Sequence, residues 1–207
     1  MTTRHLSSAR LLLGALAATF ALTACAPLVV GGAAVGGALM ASDRRTSGTQ
    51  VEDTSIEFKA GQRVGNFLGD RGHVNITSYN RIVLITGEVP NEADRTAVEH
   101  TVQGVENVRS TVNELAVAGN SSMTARSNDA ILTSKVKATY VDAKDLQSNA
   151  IKVVTERGTV VLMGRVTERE AARAADLAAG ISGVTKVVRV FEVLTETELA
   201  NIGNQPQ

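Results

Sequence analysis

Apolar and polar residues alternate with a period of two in two stretches that align with each other. The segments "VNITSYNRIVLITGEV" (74–89) and "IKVVTERGTVVLMGRV" (151–166) set Val74, Ile76, Gly87 and Val89 against Ile151, Val153, Gly164 and Val166 at an offset of 77. Each divides around a polar centre, Tyr79-Asn80-Arg81 or Glu156-Arg157-Gly158, and so predicts a β-hairpin. The period then becomes helical through "EADRTAVEHTV" and "EREAARAADLAAGI". Thr167-Glu168-Arg169-Glu170 fits a capping box, and Asn91 supplies the N-cap of the first copy. Both helices run into a Gly-Val turn, Gly104-Val105 and Gly183-Val184, where the offset becomes 79 and the first helix is shorter by two residues. A closing strand follows in each copy, "VRSTVNELAV" and "VVRVFEVL", and a further helical segment precedes each hairpin, at about 55–68 and 128–141. The order α-β-β-α-β therefore occurs twice, which predicts an α+β protein with domains at 51–119 and 120–196 and a disordered tail at 197–207.

Ahead of the repeat the pattern is of another kind. Arg4 and Arg10 precede the apolar run "LLLGALAATFALTA", which has the length of a signal-peptide core and is too short to span a bilayer comfortably. The run closes on "LTAC", and Cys25 is the only cysteine in the chain. This arrangement resembles the bacterial lipoprotein signal, in which leucine, two small residues and cysteine are recognised together. That resemblance implies removal of residues 1–24, acylation of Cys25 and, because Ala26 rather than aspartate follows, export to the periplasmic face of the outer membrane. From Cys25 to residue 50 the chain reads as a flexible tether. The glycine pairs at 31–32 and 36–37 lack the strand–GxxxxGK[ST]–helix setting of a phosphate loop.

Charge changes the picture only when it is divided. The whole chain balances 21 Lys+Arg against 21 Asp+Glu, and loss of the signal removes two arginines and no acid. A global basic field for nucleic acid is therefore absent. Residues 52–118, however, carry 6 bases against 10 acids, while 126–194 carry 11 against 8. Only the second domain is drawn to an anionic surface.

The hairpin "GTVVLMGRV", the helix "TEREAARAADLAAGISGV" and the closing strand resemble the BON domain over the whole second unit, and the first copy resembles it less closely, its opening helix being glycine-rich and short. Two such domains behind a lipoprotein signal resemble the dual-BON outer-membrane lipoproteins. The resemblance implies small mixed three-stranded sheets, each packed on two helices. It also implies a non-enzymatic periplasmic role in envelope integrity, with anionic phospholipid bound through the second domain. The helix "SNDAILTSKVKATYVDAKDL" agrees with this. At about 100° per residue, Leu132, Val136 and Tyr140 form the expected core stripe, while Ile131, Ala138 and Val141 fall opposite it among Lys135, Lys137 and Lys144. Apolar tips among lysines describe an interfacial face. The expected phospholipid-contacting set is Ile131, Lys135, Val136, Lys137 and Val141, with Val136 counted on both faces. The competing expectation is that Ile131 and Val141 pack against the first domain.

Catalytic chemistry finds little support. After residue 24 the histidines are His73 and His100 alone, and neither GxSxG, HExxH nor CxxC occurs. Neither cofactor nor metal is expected, and the alternative to lipid binding is a periplasmic adaptor docking on an outer-membrane assembly machine or a cell-wall hydrolase regulator, with outer-membrane assembly or division proteins as its partners. Replacing Cys25 with Ser is expected to abolish acylation and leave a soluble or unprocessed periplasmic form. Metabolic labelling with a palmitate analogue and fractionation at high salt check this, and a Cys25→Ser chain that still carries the label contradicts it.

Overall fold

The computed structural model describes residues 43–203, so Cys25 and residues 25–42 of the expected tether lie outside the described residues. The first repeat consists of α1 (Ser47–Leu68), β1 (His73–Tyr79), β2 (Ile82–Val89), α2 (Glu92–Gln103) and β3 (Ser110–Val117). The second consists of α3 (Met123–Asp142), β4 (Ile151–Glu156), β5 (Thr159–Thr167), α4 (Glu168–Ala179) and β6 (Lys186–Leu194), with α5 (Glu196–Gly203) after it. In each, the hairpin is antiparallel and the last strand joins the middle one in parallel, giving the orders β1-β2-β3 and β4-β5-β6. A parallel partner requires a crossover, and α2 and α4 provide it.

The hairpins turn through Asn80-Arg81 and Arg157-Gly158, with φ of 50° and 64° in the first and 52° and 74° in the second. Left-handed backbone at both loop positions matches the right-handed twist of the strands but is costly outside glycine. A buried carboxylate holds each turn in place. Asp53 on α1 accepts from the Asn80 and Arg81 amides, each at 2.8 Å, and from the Ser78 hydroxyl at 2.6 Å. On α3, Asp129 accepts from the Arg157 and Gly158 amides at 2.8 and 2.9 Å. These aspartates bind the opening helix of each repeat to its hairpin.

The repeated glycines have a steric cause. A Cβ on Gly87, at φ 114°, would stand 1.9 Å from the His73 carbonyl oxygen, and one on Gly164 would stand 2.4 Å from that of Ala150. The first strand of each hairpin enters too close to its partner there for any side chain.

Alternate residues of β2 and β5 point to opposite sides, and both sides are covered. Val83, Ile85 and Val89 join Ile56, Ala60, Val64 and Leu68 of α1 and Val98 and Val102 of α2 in one core. Val160, Leu162 and Val166 join Val136 and Tyr140 of α3 and Ala171, Ala174 and Ala178 of α4 in a second. A third cluster draws on both repeats: Tyr79 and Leu84 meet Val161 and Met163, flanked by Ile82, Val112, Val154, Val188 and Val190. The sheets thus lie face to face with a helix pair outside each. Ion pairs cross the seam from Arg109 to Glu192 and from Lys186 to Glu114, each at 2.9 Å. Two-sided burial is why "VVLM" in β5 is a continuous apolar run rather than an alternating one.

Several element boundaries differ from the sequence reading: α3 begins at Met123 rather than near 128, and α2 and α4 are both 12 residues long rather than differing by two. Helix α1 begins at Ser47, capped by Thr46, two turns before the expected start near 55. Its exposed Gly61 and Gly65 cost about 1 kcal/mol each against alanine, but Ile56, Ala60, Val64 and Leu68 recur every fourth residue into the core and outweigh them. The segment just before it, assigned to the flexible tether, is packed. Arg44 meets Glu170 of α4 at 2.6 Å, and Arg45 meets Asp53 at 2.7 Å with its guanidinium 4.0 Å over the Tyr79 ring. Burial alone would raise the Glu170 carboxyl, but the Arg44 guanidinium and the Thr167 amide together hold it below the usual range. Its contribution is therefore present above the ordinary carboxylate pKa and is lost as pH falls through the lowered value. Finally, residues 197–203 are helical rather than disordered, because Thr195 and Glu198 exchange capping hydrogen bonds at 3.2 and 2.8 Å.

Asp129→Ala is expected to leave the two turn amides without their carboxylate partner and to destabilise the protein by about 1–2 kcal/mol, measured by urea unfolding. A change within about 0.5 kcal/mol, the usual range for a surface substitution, would show that the turn holds without the carboxylate.

Candidate membrane-contacting face

Helix α3 starts at an N-cap formed by the Ser122 hydroxyl, which accepts from the Ala125 amide at 3.2 Å. Leu132, Val136 and Tyr140 enter the second core, and the Tyr140 hydroxyl donates to the Ala174 carbonyl at 2.8 Å, with burial pushing the phenol up. That inward stripe fixes the rotation of the helix and hence the identity of its outer face. Ile131 is 55% exposed and Val141 70% exposed. Neither belongs to the core clusters, and Val141 borders a hollow that Tyr79 of the first domain also lines.

Four of the five expected contact residues, Ile131, Lys135, Lys137 and Val141, reach the surface together. The fifth requires correction. Val136 has no exposed surface and packs in the second core beside Val160 and Ala174, so it supports the helix from within and touches nothing outside. The lysines flank the apolar tips, Lys135 on one side and Lys137 on the other. Among the described residues neither takes part in an ion pair. By contrast, Lys152 is bound to Glu57 at 2.9 Å and Arg173 to Asp145 at 2.9 Å.

Shallow hollows open along both flanks of the helix. One, of about 470 Å3, has Ile131, Lys135 and Arg157 in its wall, and another, of about 350 Å3, has Lys137, Val141, Arg45 and Lys152. Each is lined by apolar and charged groups together, with Asp129 in the first and Asp43 in the second beside the basic residues.

The first repeat provides an internal comparison that the sequence reading did not use. With Asp53 aligned to Asp129, Ser55, Lys59, Gly61 and Gly65 of α1 stand where α3 carries Ile131, Lys135, Lys137 and Val141. The same helix in the same setting thus lacks both apolar tips and one lysine. It exposes Val51 and Phe58 instead, at 71% and 65%. The aspartates themselves were also legible, three residues ahead of the first core residue in each copy, Ile56 and Leu132, but only once the helices rather than the hairpins are aligned.

This arrangement offers no nucleophile with a base beside it. What it presents is two exposed apolar side chains between two lysines that take part in no ion pair among the described residues. No helix among the described residues is long and apolar enough to cross a membrane.

Comparison with known proteins places these observations in a lineage. A family model described as "BON domain" matches residues 53–119 and 128–195. Over 197 residues the chain is 41% identical to the outer membrane lipoprotein DolP of Haemophilus influenzae, covering 94% of this chain and 100% of that one. It is 28% identical over 151 residues to the 21 kDa hemolysin of Actinobacillus pleuropneumoniae, covering 72% and 78% of the two chains. The osmotically-inducible protein Y of Escherichia coli is 28% identical over 189 residues, with 80% and 92% covered.

Proposed function

Because the chain belongs to the BON-domain family, with two copies of the domain, we propose that it is an outer-membrane lipoprotein whose second domain holds anionic phospholipid on the outer face of α3. One observation carries the reading: Ile131 and Val141 stand exposed between Lys135 and Lys137 exactly where the first domain has small or polar residues. The likeness to an outer membrane lipoprotein over 94% of the chain supports the location, and "LTAC" supports Cys25 as the anchor, on the periplasmic side. Its role is binding in support of envelope integrity rather than catalysis.

The magnitudes suit a tethered domain. Partial burial of Ile131 and Val141 contributes roughly 1–2 kcal/mol each at about 25 cal/mol per Å2. Lys135 and Lys137 add about 1 kcal/mol apiece near an anionic surface. Neither contribution alone gives stable attachment, but an acylated Cys25 already confines the domain to the bilayer, so weak affinity suffices.

A second reading has an observation of its own. Val51 and Phe58 on the outer side of α1 suit an adaptor that docks on a protein of the outer-membrane assembly or division machinery. Vesicle co-sedimentation of residues 43–207 separates the two. The fragment is expected to sediment with phosphatidylglycerol vesicles, less so as salt rises, and to remain free with phosphatidylcholine. Ile131→Glu should abolish sedimentation while leaving the circular dichroism spectrum and Tm intact, whereas Leu132→Glu should unfold the second domain. If Ile131→Glu still sediments, or melts the domain, the adaptor reading takes over.

A further inference from the structure

At one corner of the seam between the sheets, three metal-ligating side chains converge from both domains. His73 opens β1 and is paired in register with Glu88 on β2, while Glu156 closes β4 of the opposite sheet. One nitrogen of His73 and one oxygen from each carboxylate all lie within 4.8 Å of one another.

The partners of these groups are poor for their degree of burial. The Glu88 side chain has no exposed surface, yet its contacts are His73 Nδ1 at 3.3 Å and the Arg157 guanidinium at 3.4 Å. Charge-assisted N–H···O bonds ordinarily run at about 2.7–2.9 Å. Arg157 is itself 48% exposed. Glu156 receives one hydrogen bond, from the Asn75 amide at 3.0 Å.

A buried side chain two residues before Glu88 on β2 also lacks a partner. Thr86 Oγ1 is the buried side-chain polar atom that finds no hydrogen-bond partner among the described residues. Thr86 lines a cavity of about 280 Å3 together with Glu156 and Arg157.

The opposite corner of the seam shows what normally closes such a place. At an offset of 77, Ala150, Arg165 and Tyr79 stand where this corner has His73, Glu88 and Glu156. There the Tyr79 hydroxyl donates to the Ala150 carbonyl at 3.4 Å, and Arg165 meets Glu192 at 3.1 Å. The chain closes one corner with its own cation and hydroxyl and furnishes the other with an imidazole and two carboxylates.

We propose that His73, Glu88 and Glu156 bind one divalent transition-metal ion, which pins the two domains together at this corner. Imidazole with carboxylates and a remaining water suits Zn2+, at ligand distances of about 2.0–2.2 Å. Glu156, the more exposed carboxylate, closes the gap. Asn75 orients it from behind, as an outer-shell amide does at a metal site. Arg157 yields its place beside Glu88, and a water on the metal gives the Thr86 hydroxyl the partner it lacks.

Titration with Zn2+ alone tests this on the full-length chain carrying Cys25→Ser, in detergent, so that no thiol competes. One Zn2+ per chain and a rise in Tm are expected. His73→Ala and Glu156→Gln should each weaken binding by at least about tenfold, while His100→Ala changes nothing. Arg157→Ala should tighten binding, since it removes the competing cation. Glu156→Gln keeps the shape and the Asn75 contact, so it decides the matter even where His73→Ala folds poorly. Absence of stoichiometric binding, or binding that survives both ligand substitutions, overturns the proposal.

Discussion

A small three-stranded sheet has two faces, and one pair of helices covers only one of them. Val161 and Met163 on β5, and Leu84 on β2, have no exposed surface although they point away from the helices of their own domain. Each sheet therefore takes the other as its second cover, and burial of this kind, at about 25 cal/mol per Å2 of apolar surface, is the largest favourable contribution available to a chain with so few aromatics. Everything else follows from that contact. Sheets that face inward send all four repeat helices outward, so the outer side of α3 is presented to the surroundings and not to the first domain.

Within this frame the two copies have diverged in what they show the outside. The buried aspartates, the left-handed turns and the paired glycines are held in common because each serves the geometry of the hairpin. The outer helix faces serve no such purpose and differ: Ile131, Lys137 and Val141 in one copy, Ser55, Gly61 and Gly65 in the other. The near-neutral total charge conceals the same division, with acids in excess in the first domain and bases in excess in the second. The Asp43–Arg45 segment fastens to both copies, with Arg44 on Glu170 and Arg45 on Asp53, so the chain leaves its fold from a point fixed to each.

Much of this was legible in the sequence, for reasons that can be named. The repeat, the hairpins and the Thr167–Glu170 capping box are local patterns, and the structure has each of them. Rotation of α3 was legible too, since Leu132, Val136 and Tyr140 at helical spacing define the inner side, and with that inner side assigned, Val136 has no place in an outer contact set. What lay hidden was long-range. The packing of Arg44 depends on Glu170, 126 residues away, so the polar stretch before α1 read as tether. Two-sided burial of β5 was written in its unbroken apolar run, yet nothing local says which surface covers the second side. The helix at 196–203 was missed although Thr195 and Glu198 carry the spacing of a capping box.

Whether the second domain meets the membrane through α3 is read most directly from an environment-sensitive fluorophore at single sites. The 43–207 fragment has no cysteine of its own, so Ile131→Cys, Val141→Cys and Phe58→Cys each give one label at an exposed helix position. Phosphatidylglycerol vesicles are predicted to shift the emission to the blue at 131 and 141 and to leave 58 unchanged, with no response to phosphatidylcholine at any site. A shift at 58 equal to that at 131, or silence at 131 and 141, would contradict the assignment of this face to lipid.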